Sequence, residues 1–307
     1  MAEPITVILN PSAGKGKSGR VWMRAKERLD RSGQQYEFRV TSRRGEASAM
    51  ASEASTRRVV AVGGDGTLQE VPNGLIGTEK LMGIIPAGSG NDLIKSLGIP
   101  SAAEPAVDII LAGTTRRIDA GRVACSAKHD ANADDPGGRY FVNGVGVGFD
   151  AAVAARTQQI PRLTGTALYL AAVFQTLGSY QSPLFRVMMN GDVLESRHLL
   201  VAIGNGRCAG GGFFLTPEAT VDDGLLDVCL IGEARVPRIL TLMPRAMSGR
   251  HGSAREVSFA RTEEIRLSAE DGFYVHADGE IVGRNVRSVA VKIIPGALEV
   301  LAPGGGV

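Results

Sequence analysis

Val59-Val60-Ala61-Val62-Gly63-Gly64-Asp65-Gly66-Thr67 is the stretch that decides the fold. Its first four residues form an unbroken apolar run, as in strands of a parallel sheet covered on both faces. The glycines follow at once, and Leu68-Gln69-Glu70 reads as the start of a helix. A strand, a glycine loop and a helix N-terminus together make an anion site, because backbone N–H groups point outward and the helix dipole favours negative charge. Asp65 is the odd member. A carboxylate would repel a bound phosphate unless a cation lay between them, which points to a metal–nucleotide complex. A plain tight turn would need only two glycines.

Outward from this motif the first ~120 residues alternate strand and helix. Strands are expected at 5–9, 36–40, 59–62 and 81–85, and helices at 17–31, 46–55, 68–76 and 92–97, with Pro72 awkward inside the third helix. This pattern predicts a parallel sheet with helices on both faces. From Arg117 short apolar runs sit between turn signals, including Asn190-Gly191 and Asp278-Gly279, both hairpin dipeptides. The fold class is therefore α/β plus all-β: an N-terminal parallel α/β three-layer nucleotide-binding domain over residues 1–119, and a C-terminal antiparallel β-sandwich domain over 120–295. Helices at 163–177 and 236–247 interrupt the second half, and the tail, about 296–307, is expected to return to the first domain.

The formal net charge of +2 implies no nucleic-acid partner. The 40 glycines are about twice the usual share and cluster in loops after apolar runs, where ligands bind. Cys125, Cys208 and Cys229 show no CxxC, and the four histidines show no metal spacing, so a zinc site is not expected. There is no signal-peptide pattern and no run near ~18 apolar residues, which predicts a cytoplasmic protein with reduced thiols.

Asn10-Pro11-Ser12-Ala13-Gly14-Lys15-Gly16-Lys17-Ser18-Gly19 follows the first strand. It imitates a P-loop but has Pro11 where glycine is needed. It also imitates a dinucleotide fingerprint, but Val40-Thr41-Ser42-Arg43-Arg44 lacks the acidic partner. The arginines keep NADP open; a nucleotide-contacting loop is preferred. Pro86-Ala87-Gly88-Ser89-Gly90-Asn91-Asp92 repeats the strand–loop–helix arrangement. Asp65, Asp92 and Asp119 all fall at the same end of adjacent elements, where open α/β sheets bind ligands, and three carboxylates there would need a cation. In the second half, Thr220-Val221-Asp222-Asp223-Gly224-Leu225 suits a hard cation or an ordinary β-turn. His276-Ala277-Asp278-Gly279-Glu280 is either a structural hairpin or the home of a general base. The arginine-rich segment 235–255 suits either an anionic membrane surface or a solvated basic face.

Taken in order, these motifs resemble the bacterial diacylglycerol kinase family of soluble lipid kinases, relatives of sphingosine and ceramide kinases. Gly-Gly-Asp-Gly alone is shared more widely, with NAD kinases and phosphofructokinases. The resemblance implies that ATP and Mg²⁺ are used, with ATP lying between an α/β domain and a β-sandwich domain. It implies nucleotide contacts at Asn10, Thr41, Gly63, Gly64, Asp65, Gly66, Thr67, Glu70 and Ser89. It implies a structural Mg²⁺ held by Asp223 with the carbonyls of Thr220 and Leu225, and a Mg²⁺-linked acidic network at Asp65, Asp92 and Asp119. Asp278 and Glu280 match the catalytic turn, with Asp278 favoured as base. The implied reaction is in-line transfer of the γ-phosphoryl group to a lipid hydroxyl, diacylglycerol first, by an enzyme that touches the membrane surface transiently. A homodimer is left open. The competing readings are an NAD kinase-like enzyme with a soluble dinucleotide acceptor, and a non-catalytic nucleotide or lipid sensor.

Overall fold

The structure is a computed structural model that describes residues 3–157, 159–160, 165–178 and 180–304, with the backbone alone for 165–170. The chain divides into two compact units, Met1–Ala120 with Pro295–Val307, and Gly121–Ile294.

The first unit runs β1 (Ile5–Leu9), α1 (Ser18–Ser32), β2 (Tyr36–Val40), α2 (Glu46–Ser52), β3 (Arg58–Gly63), α3 (Asp65–Leu75), β4 (Leu81–Pro86), α4 (Asp92–Leu97), α5 (Ala103–Ala112) and the start of β5 (Thr115–Ser126). Strands β4, β3, β1 and β2 lie side by side in that order, all parallel. Side chains alternate across each strand. Ile5, Val7 and Leu9 therefore meet Trp22, Ala25 and Leu29 of α1, with Val107 and Ile110 of α5 in the same core. The spacing of Trp22, Ala25 and Leu29 is what one helical face requires. Gly33, at φ 72°, ends α1 in the left-handed conformation that glycine adopts without strain. Helix α3 continues through Pro72 to Leu75. The parallel register brings the loops after β1, β3 and β4 to one edge of the sheet, the edge where open α/β sheets bind ligands.

The second unit continues β5 and adds β6 (Arg139–Phe141), β7 (Gly144–Gly148), α6 (Phe149–Thr157), α7 (Gly165–Leu177), β8 (Leu184–Met189), β9 (Asp192–Gly204), β10 (Leu226–Gly232), α8 (Val236–Met247), β11 (Val257–Thr262), β12 (Glu264–Ala277) and the first part of β13 (Glu280–Leu301). It is antiparallel apart from its helices. Strands β9 and β12 are long, and each pairs with β8 over one half and β7 over the other. An irregularity between Ser268 and Phe273 interrupts the register of β12 with β13. A core of Phe141, Val145, Val147, Phe185, Val201 and Val275 fills the inside. A second apolar cluster lies where Leu200, Ala202 and Ile231 meet α8 through Ile239, Leu242 and Ala246. Asn190-Gly191 and Asp278-Gly279 both form hairpin tips with positive φ at each residue (53° and 84°, 48° and 83°), the type I′ pattern.

The last strand ends in the first unit. Glu299 and Val300 of β13 pair in parallel with Leu81 and Met82 of β4. Among the described residues no helix is long and apolar enough to cross a membrane.

Candidate functional site

The glycine motif after β3 and the one after β4 touch. A Cβ on Gly64 would stand 2.9 Å from the Cα of Gly88, so neither loop tolerates a side chain at that crossing. Asp65 is the first residue of α3, with Gly64 as its N-cap. Its carboxylate accepts the N–H groups of Asn91 (3.0 Å) and Asp92 (2.8 Å), which ties the two loops together. Burial, and then the charge of Asp92, push the Asp65 carboxyl above its usual range. Asp92 pairs with Lys95 at 2.9 Å. Asp119 is buried and accepts the Gly296 N–H at 2.7 Å, so it joins β5 to the returning tail.

Asn10 sits at the end of β1. Its amide donates to the Thr67 hydroxyl at 3.1 Å and accepts the Ser12 N–H at 3.0 Å, which fixes the first loop against the glycine motif. The Thr41 N–H donates to the Leu9 carbonyl at the end of β2. Ser89 is exposed at the tip of its loop. Glu70 behaves differently. It is buried, and its two carboxylate oxygens accept the N–H groups of Gly45 (2.9 Å) and Ala47 (3.2 Å) at the start of α2. A carboxylate there satisfies otherwise orphaned donors of a helix N-terminus.

In the second unit, Asp278 occupies the hairpin tip between β12 and β13. Its Oδ1 accepts the N–H groups of Asn143 (3.0 Å) and Gly144 (2.8 Å), and its Oδ2 that of Val142 (2.9 Å). Burial pushes its carboxyl up to about 6, against the opposing pull of those three N–H groups. Glu280 is buried and ion-paired with Arg139 at 2.5 Å.

Asp223 carries a different partner from the one the sequence suggested. Its Oδ1 accepts the Leu225 N–H at 3.1 Å, and its Oδ2 is held by the Arg261 guanidinium. Arg261 lies directly across the β10–β11 pair from Asp227 and reaches that carboxylate too, at 3.5 Å. A hard cation needs available carboxylate oxygens and uncompensated negative charge. Arg261 occupies the former and cancels the latter, so this donor set does not fit a structural Mg²⁺. The signal was present as Arg261, but its cross-strand register with Asp227 could not be read without the pairing. Among the described residues, no group of three or more His, Cys, Asp or Glu side chains is spaced to hold a metal ion.

No motif in the sequence pointed to an apolar cavity in the second unit. An apolar cavity of about 130 Å³ lies among α6, α7, α8 and the strands, lined by Phe149, Leu200, Phe213, Leu242 and Met243 among others. Its acidic and basic lining residues are Asp150, His276 and His251. His276 Nε2 lies 3.2 Å from Asp150 Oδ2, and both side chains are largely buried. His251 contacts the Cys229 sulfur at 3.5 Å; burial lowers the histidine and, with the Asp150 charge, raises the thiol to about 12.

Two glycine loops joined by a carboxylate in a parallel α/β unit, followed by an antiparallel unit with an apolar cavity, define a nucleotide-using enzyme with an apolar substrate. The known proteins it resembles agree. Residues 4–123 match the diacylglycerol kinase catalytic domain, and residues 143–302 match the YegS C-terminal NAD kinase beta sandwich-like domain. The chain is 30% identical to a diacylglycerol kinase of Mycobacterium tuberculosis over 98% of its own length and 96% of that protein's. It is 33% identical to a YegS-like lipid kinase of Pseudomonas aeruginosa, over 89% of this chain and 86% of that one. The crystal structure of a diacylglycerol kinase from Bacillus anthracis shares the fold with a TM-score of 0.71 at 19% identity, covering 99% of this chain and 98% of that one. The chain belongs to the diacylglycerol kinase and YegS-like family of lipid kinases. As a member it uses ATP and acts on a lipid.

Proposed function

We propose that this enzyme transfers the γ-phosphoryl group of ATP to the free hydroxyl of diacylglycerol, giving phosphatidic acid. The observation that carries the lipid side is the apolar cavity, whose polar side chains among the described lining residues are those of Asp150, His276 and His251. Such a lining suits an acyl chain with a hydroxyl at one end, and offers little to a charged dinucleotide. This disfavours the NAD kinase-like alternative. Diacylglycerol is chosen because the relatives carry that name.

The nucleotide side rests on the loops after β1, β3 and β4: Asn10, Gly63 to Thr67 and Ser89. Glu70 contributes indirectly, by setting the start of α2 beside Thr41. Of the three acidic residues, Asp92 is already compensated by Lys95 and Asp119 accepts the Gly296 N–H, so Asp65, raised by burial and then by the charge of Asp92, is the carboxylate that would help to hold a Mg²⁺ ion, which would neutralise phosphate charge when bound. The protein residues orient the phosphates through loop amides and hold the two glycine motifs in contact.

The second unit also offers a surface for an anionic membrane. Val236, Leu240 and Met247 of α8 are exposed apolar side chains. Arg235, Arg245 and Arg250 are exposed and make no ion pair among the described residues. Arg238 and Arg255 are not available in the same way, because both pair with Glu256.

Labelled ATP with vesicles containing diacylglycerol, ceramide, a sphingoid base or monoacylglycerol, and with NAD in parallel, tests the proposal. Phosphatidic acid as the dominant product is expected. Phosphorylation of NAD with no lipid product would overturn it.

A further inference from the structure

Strand β2 is an edge of the parallel sheet, with β1 on one side and no strand on the other among the described residues. Its ladder with β1 fixes which backbone groups are left over. The Ile5 N–H donates to the Gln35 carbonyl at 3.1 Å, and the Thr41 N–H to the Leu9 carbonyl at 2.9 Å. In a parallel pair alternate residues of a strand face its neighbour, so Glu37 and Arg39 bond to β1. The N–H and C=O groups of Tyr36, Phe38 and Val40 therefore point away from the sheet. Sheet edges are commonly blunted by proline, lysine or a bulge. Strand β2 has none of these, and its register with β1 runs unbroken from the Ile5–Tyr36 pair to the Leu9–Val40 pair.

The side chains of this edge are apolar on one face and charged on the other. Tyr36 and Phe38 pack on Trp22 of α1, the first edge-on at 5.6 Å between ring centroids and the second stacked at 4.7 Å. Val40 alternates onto the same face. Even so, Phe38 is 41% exposed and Val40 45%. On the opposite face Arg39 donates to the Glu37 carboxylate at 2.8 Å and to the Met50 carbonyl of α2 at 3.0 Å.

We propose that β2 pairs with β2 of a second copy of this chain, antiparallel about a two-fold axis at Phe38. This register satisfies backbone and charge together. It sets Phe38 opposite itself and Tyr36 opposite Val40. Those are the residues with outward backbone groups, so each becomes a hydrogen-bonded pair. It sets Glu37 of each copy opposite Arg39 of the other, at the non-hydrogen-bonded positions where side chains come closest and opposite charges stabilise. An axis at Glu37 or at Arg39 would instead set that charge against itself. An axis between residues would face the outward groups with groups already bonded to β1. The contact is isologous, as a closed dimer requires, and it removes the aromatic and aliphatic face of β2 from water. The two sheets join into one. Because the strands of the two copies run in opposite directions, the loops after β1, β3 and β4 of one copy lie at the far edge from those of the other.

A contact centred on five residues a side is small for a specific interface, so a dissociation constant of about 1–100 μM is expected. Sedimentation of the full chain over about 1–300 μM should show a monomer–dimer equilibrium. Glu37→Arg and Arg39→Glu each set like charges opposite one another, and each should raise that constant about tenfold or more. Mixed in equal amounts, the two variants should associate about as tightly as the wild type, since each supplies the charge that the other lacks. No effect confined to one chain produces that recovery. Melting curves of the variants are the folding control. If a charge variant does not fold, Val40→Lys decides, because a lysine at this exposed edge position should weaken association in the same way. A wild type that stays monomeric at the top of the concentration range overturns the proposal. So does a dimer whose constant is unchanged in the folded variants, or a mixture that associates no more tightly than either variant alone.

Discussion

Asp278 titrates high in the folded chain, and that has a measurable sign. Its carboxyl moves from the ordinary 3.8 to about 6, because burial outweighs three N–H donors. A raised carboxyl means that the folded state binds the proton more tightly than the unfolded one. Stability from this group is then fully present below about pH 4 and is lost as pH rises through about 6. The shift of about two units, at about 1.36 kcal/mol each, makes the contribution roughly 3 kcal/mol. For a chain of this size that corresponds to about 5–10 °C in melting temperature. Asp278→Asn cannot ionise, and its one oxygen can still accept from Asn143 and Gly144, while Val142 loses its acceptor. Melting curves of both proteins from pH 7.5 to 4.5 isolate the effect, since all other titrations are shared. The wild type should gain on the Asn variant by about 2 kcal/mol as pH falls across this window, about two thirds of the full effect. Asp278→Ala should be less stable than the Asn variant throughout, by about 1 kcal/mol for each further amide left without an acceptor. A gap between wild type and Asp278→Asn that stays constant with pH would refute the reasoning, because the three N–H groups would then balance the burial.

Other outcomes follow from the same contacts. Asp65→Ala should abolish phosphoryl transfer and lower stability by about 1–3 kcal/mol, since Asn91 and Asp92 lose their acceptor; turnover near wild type at saturating Mg²⁺ would contradict the assigned role. Without nucleotide, any melting shift of the wild type with Mg²⁺ should survive Asp223→Asn unchanged, whereas Arg261→Gln should lower the melting temperature and add a new Mg²⁺-dependent recovery. Loss of a wild-type shift in Asp223→Asn would restore the structural-metal expectation. Neutralising Arg235, Arg245 and Arg250 together should weaken sedimentation with anionic vesicles at low salt, and the wild-type advantage should shrink in high salt; equal binding by variant and wild type would leave α8 as an ordinary surface.

Local periodicity was enough for much of the fold. β1, β2, α4 and α8 begin and end where the hydrophobic pattern puts them. Helix α5 escaped because Ala102 offers no capping side chain and Pro105 reads as a breaker, although proline is tolerated in a first turn. Strand β7 escaped because alternating glycines look like a loop. The Asp150–His276 pair was hidden for a deeper reason: 126 positions separate its members, and no spacing rule joins them. One clue did exist. A strand with glycine at every second residue has a bare face, and a bare face must be covered by something bulky. Glu70 and Asp223 sat in motifs whose composition is right, but which partner a carboxylate finds depends on register and loop approach, and neither is encoded locally.

The course of β13 affects how the chain is made. Strand β4 pairs with β3 on one side and with Glu299 and Val300 on the other. Those two residues leave the ribosome only after the whole of 121–294. At roughly 5–20 residues per second, that interval is on the order of ten to thirty seconds. Throughout it the first unit has its glycine loops and four of its parallel strands, but β4 is an open apolar edge, the kind of edge that recruits strands from other chains. A nascent chain stalled before residue 295 should therefore bind holding chaperones that the released enzyme does not.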